Sequence, residues 1–265
     1  MKIILNSIYK DTPAQPIIGY NDYFVNILVN IGYPVEQVPV ADLLRHLHGL
    51  DGEWLVVSPV NWQATHNDSM LVAAGHDFAI GHDYAKELYA RLAKFVAVEG
   101  MHLHFHDAHT WLLQMHNKPK INAKPVNCLL HRSLMPELEG LDKSLFWQKF
   151  LTECQMLFND LQPDVLYPIN GVWVWGAGFL ENKQIPSALI ALDERAYEII
   201  QILSVKSDMY SNAKSYPKDT VFVAYTEDSV KKLPLKVQNK ITSWYWNNQA
   251  YTTHNKGFFA KLLRL

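Results

Sequence analysis

Four histidines and an aspartate fall within eight positions: His102, His104, His106, Asp107 and His109. Imidazole nitrogens are good ligands for zinc, nickel or copper, and positions i, i+2 and i+4 of a strand project from one face. Three side chains on one flat strand stand in a line, however, so a closed tetrahedral shell needs ligands from elsewhere. The plainer reading is a solvated strand face whose polar residues are histidines. No metal is therefore expected, with His102, His104 and His106 the candidates should one bind. His131 beside Arg132, and Asp107 near His109, are types used in phosphate binding and acid–base work, but their spacing is specific to neither. Nucleophilic catalysis finds no support: there is no G-x-S-x-G elbow, no G-x-x-x-x-G-K-[ST] phosphate loop, and no G-x-G-x-x-G after the first strand.

The most unusual stretch is 167–180, YPINGVWVWGAGFL. Trp173 and Trp175 flank Val174 as the same-face pair of a strand. Gly176 and Gly178, around Ala177, let the backbone turn tightly or approach a ligand closely. Two such indoles can stack on a ligand ring or fill a core against a helix; on the residues alone, core plus turn is the plainer reading. Glu153 and Gln155 stand polar in an otherwise apolar helix. Two positions apart, they point to nearly opposite sides and do not pair at one site.

The elements that must position these residues follow from periodicity. An apolar run over 2–8 reads as a buried strand, and Phe24, Ile27, Leu28 and Ile31 mark a helix stopped by Gly32 and Pro34. The runs 54–60 and 70–73 read as a β-hairpin. Asp83 is expected to cap a helix reaching Val98. Residues 101–106 alternate, with Met101, Leu103 and Phe105 packed and the histidines wet, and pair with 111–115 as a second hairpin. A helix over 144–161 buries Leu145, Phe150, Cys154, Leu157 and Leu161. Runs 187–192 and 220–225, separated by a helix over 194–205, read as parallel strands joined by a crossover.

Composition bounds the rest. Of 265 residues 49% are hydrophobic and 19% charged, enough apolar material for a core and against a disordered chain. The net charge of −2 gives no electrostatic footprint for nucleic acid. Cys128 and Cys154 are too few for a disulfide framework or a four-cysteine zinc site and read as reduced core thiols. The opening residues do not read as a signal peptide, and no apolar run approaches the ~20 residues of a membrane helix. A cytoplasmic protein without a membrane partner is expected.

The stretch NGVWVWGAG, 170–178, resembles the N-x-[IVL]-W-x-W-G-x-G signature of archaeal-type, cofactor-independent phosphoglycerate mutases and their bacterial RpfE-type relatives. A helix of the form L-x-E-A-Q-M-L-L precedes that signature in the family. Here 151–158 reads LTECQMLF, matching at Glu153, Gln155, Met156 and Leu157. SPVNWQATHNDSMLV, 58–72, is similar to the S-P-V-H-L-x-A-x-x-D-x-L-x-L stretch of RpfE-type proteins. The resemblance spans about residues 50–200 and implies an α/β fold with a partial alkaline-phosphatase-like core of parallel strands. On that reading residues 1–50 and 162–265 form the core, and 51–161 an inserted α+β substrate-like lobe with β-hairpins.

The mutases carry two divalent metals and a serine that takes the phosphoryl group. Their ligands come from an Asp-Gly turn after the first strand and a P-D-E-x-x-H motif after a later one. Here the first strand runs into Asn6, Ser7 and Ile8, and the later one into Thr226, Glu227, Asp228 and Ser229 with no histidine soon after. Phosphoryl transfer without its metals loses its main electrostatic stabilisation. The resemblance therefore implies a non-catalytic or regulatory relative that binds a phosphorylated small molecule or a protein partner, without a cofactor. Its ligand-facing residues would be Asn170, Trp173, Trp175, Gly176, Gly178, Glu153 and Gln155. Trp175→Ala or Asn170→Ala should then abolish ligand-induced stabilisation and leave the fold intact. The alternative is a phosphotransferase or phosphohydrolase with Mn or Zn on rearranged ligands, drawn from His102, His104, His106, Asp107 and Asp228. A third reading is assembly through exposed C-terminal aromatics, Trp244, Tyr245, Trp246 and Tyr251.

Overall fold

The computed structural model describes residues 1–13, 15–64, 66, 68–78, 81–159, 167–181, 188–212 and 214–253. The first part of the chain forms β1 (Lys2–Leu5), β2 (Pro16–Ile17), α1 (Tyr23–Asn30), α2 (Val40–Leu47), β3 (Trp54–Ala64), β4 (Ser69–Ala74) and α3 (His82–Val98). Then come β5 (Leu103–Phe105), β6 (Trp111–Gln114), α4 (Met135–Gly140), α5 (Phe146–Phe158) and β7 (Gly171–Trp175). The last part supplies β8 (Leu189–Ala191), α6 (Glu194–Ile202), β9 (Ser207–Met209), β10 (Val221–Ala224), α7 (Glu227–Lys231), α8 (Leu235–Gln238), β11 (Ser243–Tyr245) and β12 (Ala250–Thr252). The fold is mixed α/β. No helix among the described residues is long and apolar enough to cross a membrane.

The chain divides into two compact units, Met1–Pro34 with Leu180–Leu265, and Val35–Phe179. In the first, a seven-stranded sheet runs in the order β2-β12-β11-β1-β10-β8-β9. β9, β8, β10, β1 and β11 are mutually parallel, while β12 and β2 close one edge antiparallel. β1 is buried at Ile3, Ile4 and Leu5 alike, the continuous apolar pattern of a strand covered on both faces. The expected parallel pairing of the strands around 187–192 and 220–225 is present, β8 beside β10; residues 182–187 lie outside the description. Asp193 organises this end of the sheet. One carboxylate oxygen accepts from the Ala196 amide at the start of α6, and the other from the amides of Tyr225 and Thr226 after β10.

The C-terminal aromatics are not an exposed patch. Trp244, Trp246 and Tyr251 are 3%, 5% and 2% exposed, packed with Ile3, Leu5, Phe222 and Tyr9 in the core of this unit. Trp244 in β11 and Tyr251 in β12 are register partners, and Trp246 follows directly after β11.

In the second unit a five-stranded antiparallel sheet is built on the long β3. β6 pairs with its first half, β4 with its second, and β7 with its middle. Pro59, which has no amide proton to give, falls in the gap between the β6 partners ending at Val57 and the β4 partners starting at Val60. Both expected hairpins, β3–β4 and β5–β6, are present. The strand carrying the tryptophan–glycine motif lies here, as β7 on β3, and not with the parallel sheet. The division therefore falls at 34/35 and 179/180 and not at the expected 50/51 and 161/162, since α2 and β7 both pack on β3.

Two helix starts differ from expectation. α3 begins at His82 behind Gly81, with Asp83 in its first turn. α5 begins at Phe146 because the Asp142 carboxylate accepts from the amides of Ser144, Phe146 and Trp147. Leu145 is thereby turned out, 57% exposed with φ +61°, and is no part of the buried stripe. Leu161 lies outside the described residues.

Candidate functional site

Most of the motif proves to be core. Trp173 and Trp175 are 0% and 2% exposed, and each has its indole N–H satisfied. Trp173 Nε1 donates to the Lys124 carbonyl and Trp175 Nε1 to Ser58 Oγ, both at 2.9 Å. Neither keeps a donor for a ligand. Gly176 turns the chain at φ +78°, and its carbonyl accepts from the Ala41 amide at 3.2 Å. A β-carbon there would stand 3.0 Å from Val56 Cγ2. Gly178, exposed at φ +112°, would meet only Pro39 Cβ at 3.7 Å. These glycines serve a turn packed beside α2, and the structure places Trp173, Trp175 and Gly176 facing protein.

The first two motif residues do something else. Asn170 Oδ1 accepts from the Trp62 amide at 2.7 Å, and Asn170 Nδ2 donates to the Trp62 carbonyl at 2.9 Å. The carboxamide acts as a one-residue strand beside β3, at the bulge that shifts the β3–β4 register between Asn61 and Trp62. Gly171 makes room for what is thereby positioned. A β-carbon at Gly171 would stand 2.8 Å from both Trp62 Cδ1 and Trp62 Nε1, and 3.1 Å from Gln155 Cγ. Trp62 and Gln155 are thus brought together over one glycine.

They line a cleft of about 260 Å³ between β3, β4, α4 and α5. Trp62, Leu151, Leu138 and Met135 supply apolar surface; Ser69, Gln148, Thr152, Gln155 and Glu139 supply polar groups. Trp62 is 8% exposed, yet its Nε1 has no hydrogen-bond partner, and neither has the buried Ser69 Oγ. Gln155 makes no hydrogen bond among the described residues. Leaving such groups unpartnered costs about 1–3 kcal/mol apiece, so both point to something else that satisfies them. Trp111 Nε1 is unpartnered too, but Trp111 does not line the cleft. Glu153, on the other side of α5, faces Lys149 at 3.6 Å near solvent and does not join the cleft.

The histidines form a second cluster, with a member that lay far off in sequence. His48, at the end of α2, has its Nε2 2.8 Å from His106 Nδ1 and its ring 4.5 Å from that of His104. His76, after β4, stands 5.1 Å from His109. The face carrying His104 and His106 is therefore not the wet one expected; the His106 side chain is 7% exposed, with His48 packed against it. Within the cluster His102 and His76 are exposed. Among the described residues no group of three or more His, Cys, Asp or Glu side chains is placed to hold a metal ion. Burial holds the His104, His76 and His109 imidazoles below their ordinary range; for His109 the neighbouring His76 adds to this.

Neither family models, nor curated proteins, nor solved structures give a match to this chain.

The cleft's chemistry is thus read from its own residues. It offers an indole donor, a hydroxyl and a free carboxamide above an apolar floor, and Glu139 is the one charged group among its described lining residues. That set can recognise and orient a small molecule; it includes no activated nucleophile. Of the residues expected at a ligand site, Gln155 lines it, while Asn170 positions Trp62 without lining it. Trp62 and Ser69 were missed, although both lie in the 58–72 stretch. The signal was weak: one tryptophan after a proline in an apolar strand reads as core.

Proposed function

We propose that this chain is a small-ligand-binding protein of regulatory type whose ligand seats in the cleft beside Trp62 and Gln155. The observation that carries the proposal is the Trp62 indole N–H, buried and unpartnered at the wall of a cleft where Ser69 Oγ is unpartnered too. Kinship with RpfE-type proteins belongs to the same proposal, supported by the 170–178 motif. So does a trimmed alkaline-phosphatase-like core, supported by the parallel strands around β1.

The ends of those strands bear on catalysis. Past β1 and β10, Ser7 Oγ donates to the Glu227 carboxylate, and past β11 Asn247 Nδ2 donates to Asn6 Oδ1 at 2.7 Å. A pair of divalent cations against a phosphate ester calls for a dense set of carboxylates and imidazoles. Two carboxamides, a hydroxyl and one carboxylate already engaged do not fit it, so no phosphoryl-transfer step is assigned.

A thermal-shift screen of metabolites on the wild type and on Gln155→Leu tests the reading. The carboxamide of Gln155 is unbonded, so the variant should fold with an unchanged melting point. A ligand that stabilises the wild type should lose that effect in Gln155→Leu. Ligands that stabilise both equally, or a screen with no stabilising compound, would overturn the assignment.

A further inference from the structure

Resting on that reading, we infer that the cleft selects an uncharged or cationic ring compound bearing a hydrogen-bond acceptor, and rejects phosphorylated and carboxylated ones. The donors and acceptors decide this. None of the described lining residues is Lys, Arg or His, so nothing there offsets an anion's lost hydration. Glu139 makes no ion pair or hydrogen bond among the described residues, and its carboxylate repels an anion while attracting a cation. The resemblance to phosphoglycerate mutases led to the opposite expectation, a phosphorylated ligand, and the described lining carries no guanidinium or ammonium group to meet one.

The shape narrows the class further. Trp62, Leu151, Leu138 and Met135 give flat and flexible apolar surface on which a ring can lie, the usual lining of a small-molecule site. The Trp62 Nε1–H donates only, so the ligand must present an acceptor to it. Gln155 both donates and accepts, and Ser69 Oγ does likewise. A primary amide or a similar planar polar head on one ring matches that set. In the present conformation the Gln155 chain lies beside Trp62 Nε1 over Gly171, so a rotamer change at Gln155 admits the head group.

Three probes that share a ring and differ in charge test the inference: benzamide, 4-(aminomethyl)benzamide and phenyl phosphate. They are titrated into ¹⁵N-labelled protein while the tryptophan indole N–H resonances are followed, with that of Trp62 assigned from Trp62→Phe. Benzamide and 4-(aminomethyl)benzamide should move the Trp62 signal at millimolar concentration, and phenyl phosphate should bind at least about tenfold more weakly. 4-(Aminomethyl)benzamide, which adds an ammonium and keeps the amide acceptor, should be preferred over benzamide, and Glu139→Gln should remove that preference. In Trp62→Phe, benzamide should bind about fivefold more weakly, the scale of one hydrogen bond. Tighter binding of phenyl phosphate than of benzamide would overturn the ligand class while leaving the cleft a binding site. No movement of the Trp62 signal with any probe would overturn the site itself.

Discussion

Asn170 holds the Trp62 backbone at both of its polar groups, and Gly171 gives the Trp62 ring its space. Replacing Asn170 with alanine strands an amide and a carbonyl at a part-buried strand edge, so about 2–4 kcal/mol should be lost in urea unfolding. A loss within error of zero would show that water replaces the carboxamide and that Trp62 is not held by it. Trp175→Ala removes a fully buried indole and should cost about 3–5 kcal/mol. These costs run against the expectation that the two substitutions leave the fold untouched: both residues support structure, and Gln155 is the expected site residue that lines the cleft. Gly171→Ala places a methyl 2.8 Å from the Trp62 ring and should cost about 1–3 kcal/mol. That cost should vanish in a Trp62→Leu background, where the clash is gone; an undiminished cost would locate the strain elsewhere.

At the scale of elements, the β5–β6 hairpin is joined to neighbours by imidazoles: His106 and His104 meet His48, and His109 meets His76. A hydrogen bond between two imidazoles needs one neutral partner at least. For His76 burial outweighs the attraction of Asp107 and Asp77, and for His109 burial and His76 outweigh Asp107. Their folded pKa values therefore lie below the unfolded one of about 6.5. The unfolded chain binds more protons between those values, so stability is full above pH ~6.5 and falls as the pH drops below it. The urea midpoint should decline from pH 7 to 5, and less steeply in a His76→Gln, His109→Gln double variant; an equal slope would discharge these histidines from the effect. Period-two alternation made this hairpin legible in the sequence. Its partner His48 was not, because contact across 58 positions leaves no local pattern.

For the whole molecule, residues 243–252 decide the integrity of the first unit, since Trp244, Trp246 and Tyr251 sit in its core. Losing each large aromatic costs about 3–5 kcal/mol, against about 5–15 kcal/mol for a typical domain. A chain ending before Trp244 should lose a cooperative melting transition by circular dichroism, where an assembly tail would leave that transition unchanged. The class of fold, the parallel strands β8 and β10 and both hairpins were readable from apolar periodicity. The placement of β7 was not, because an apolar strand fits either sheet and its partner β3 lies over a hundred residues away. The same ambiguity hid the site: a motif rich in tryptophan and glycine drew attention to Trp173 and Trp175, whose donors are satisfied, and away from Trp62, whose donor is not. The most direct measurement is a crystal of the full chain soaked in benzamide. Electron density for the ring against Trp62 and Leu151, with its carbonyl oxygen accepting from Trp62 Nε1, is the predicted result. Density elsewhere with an empty cleft, or a Trp62 Nε1 still unpartnered beneath a bound ring, would contradict it.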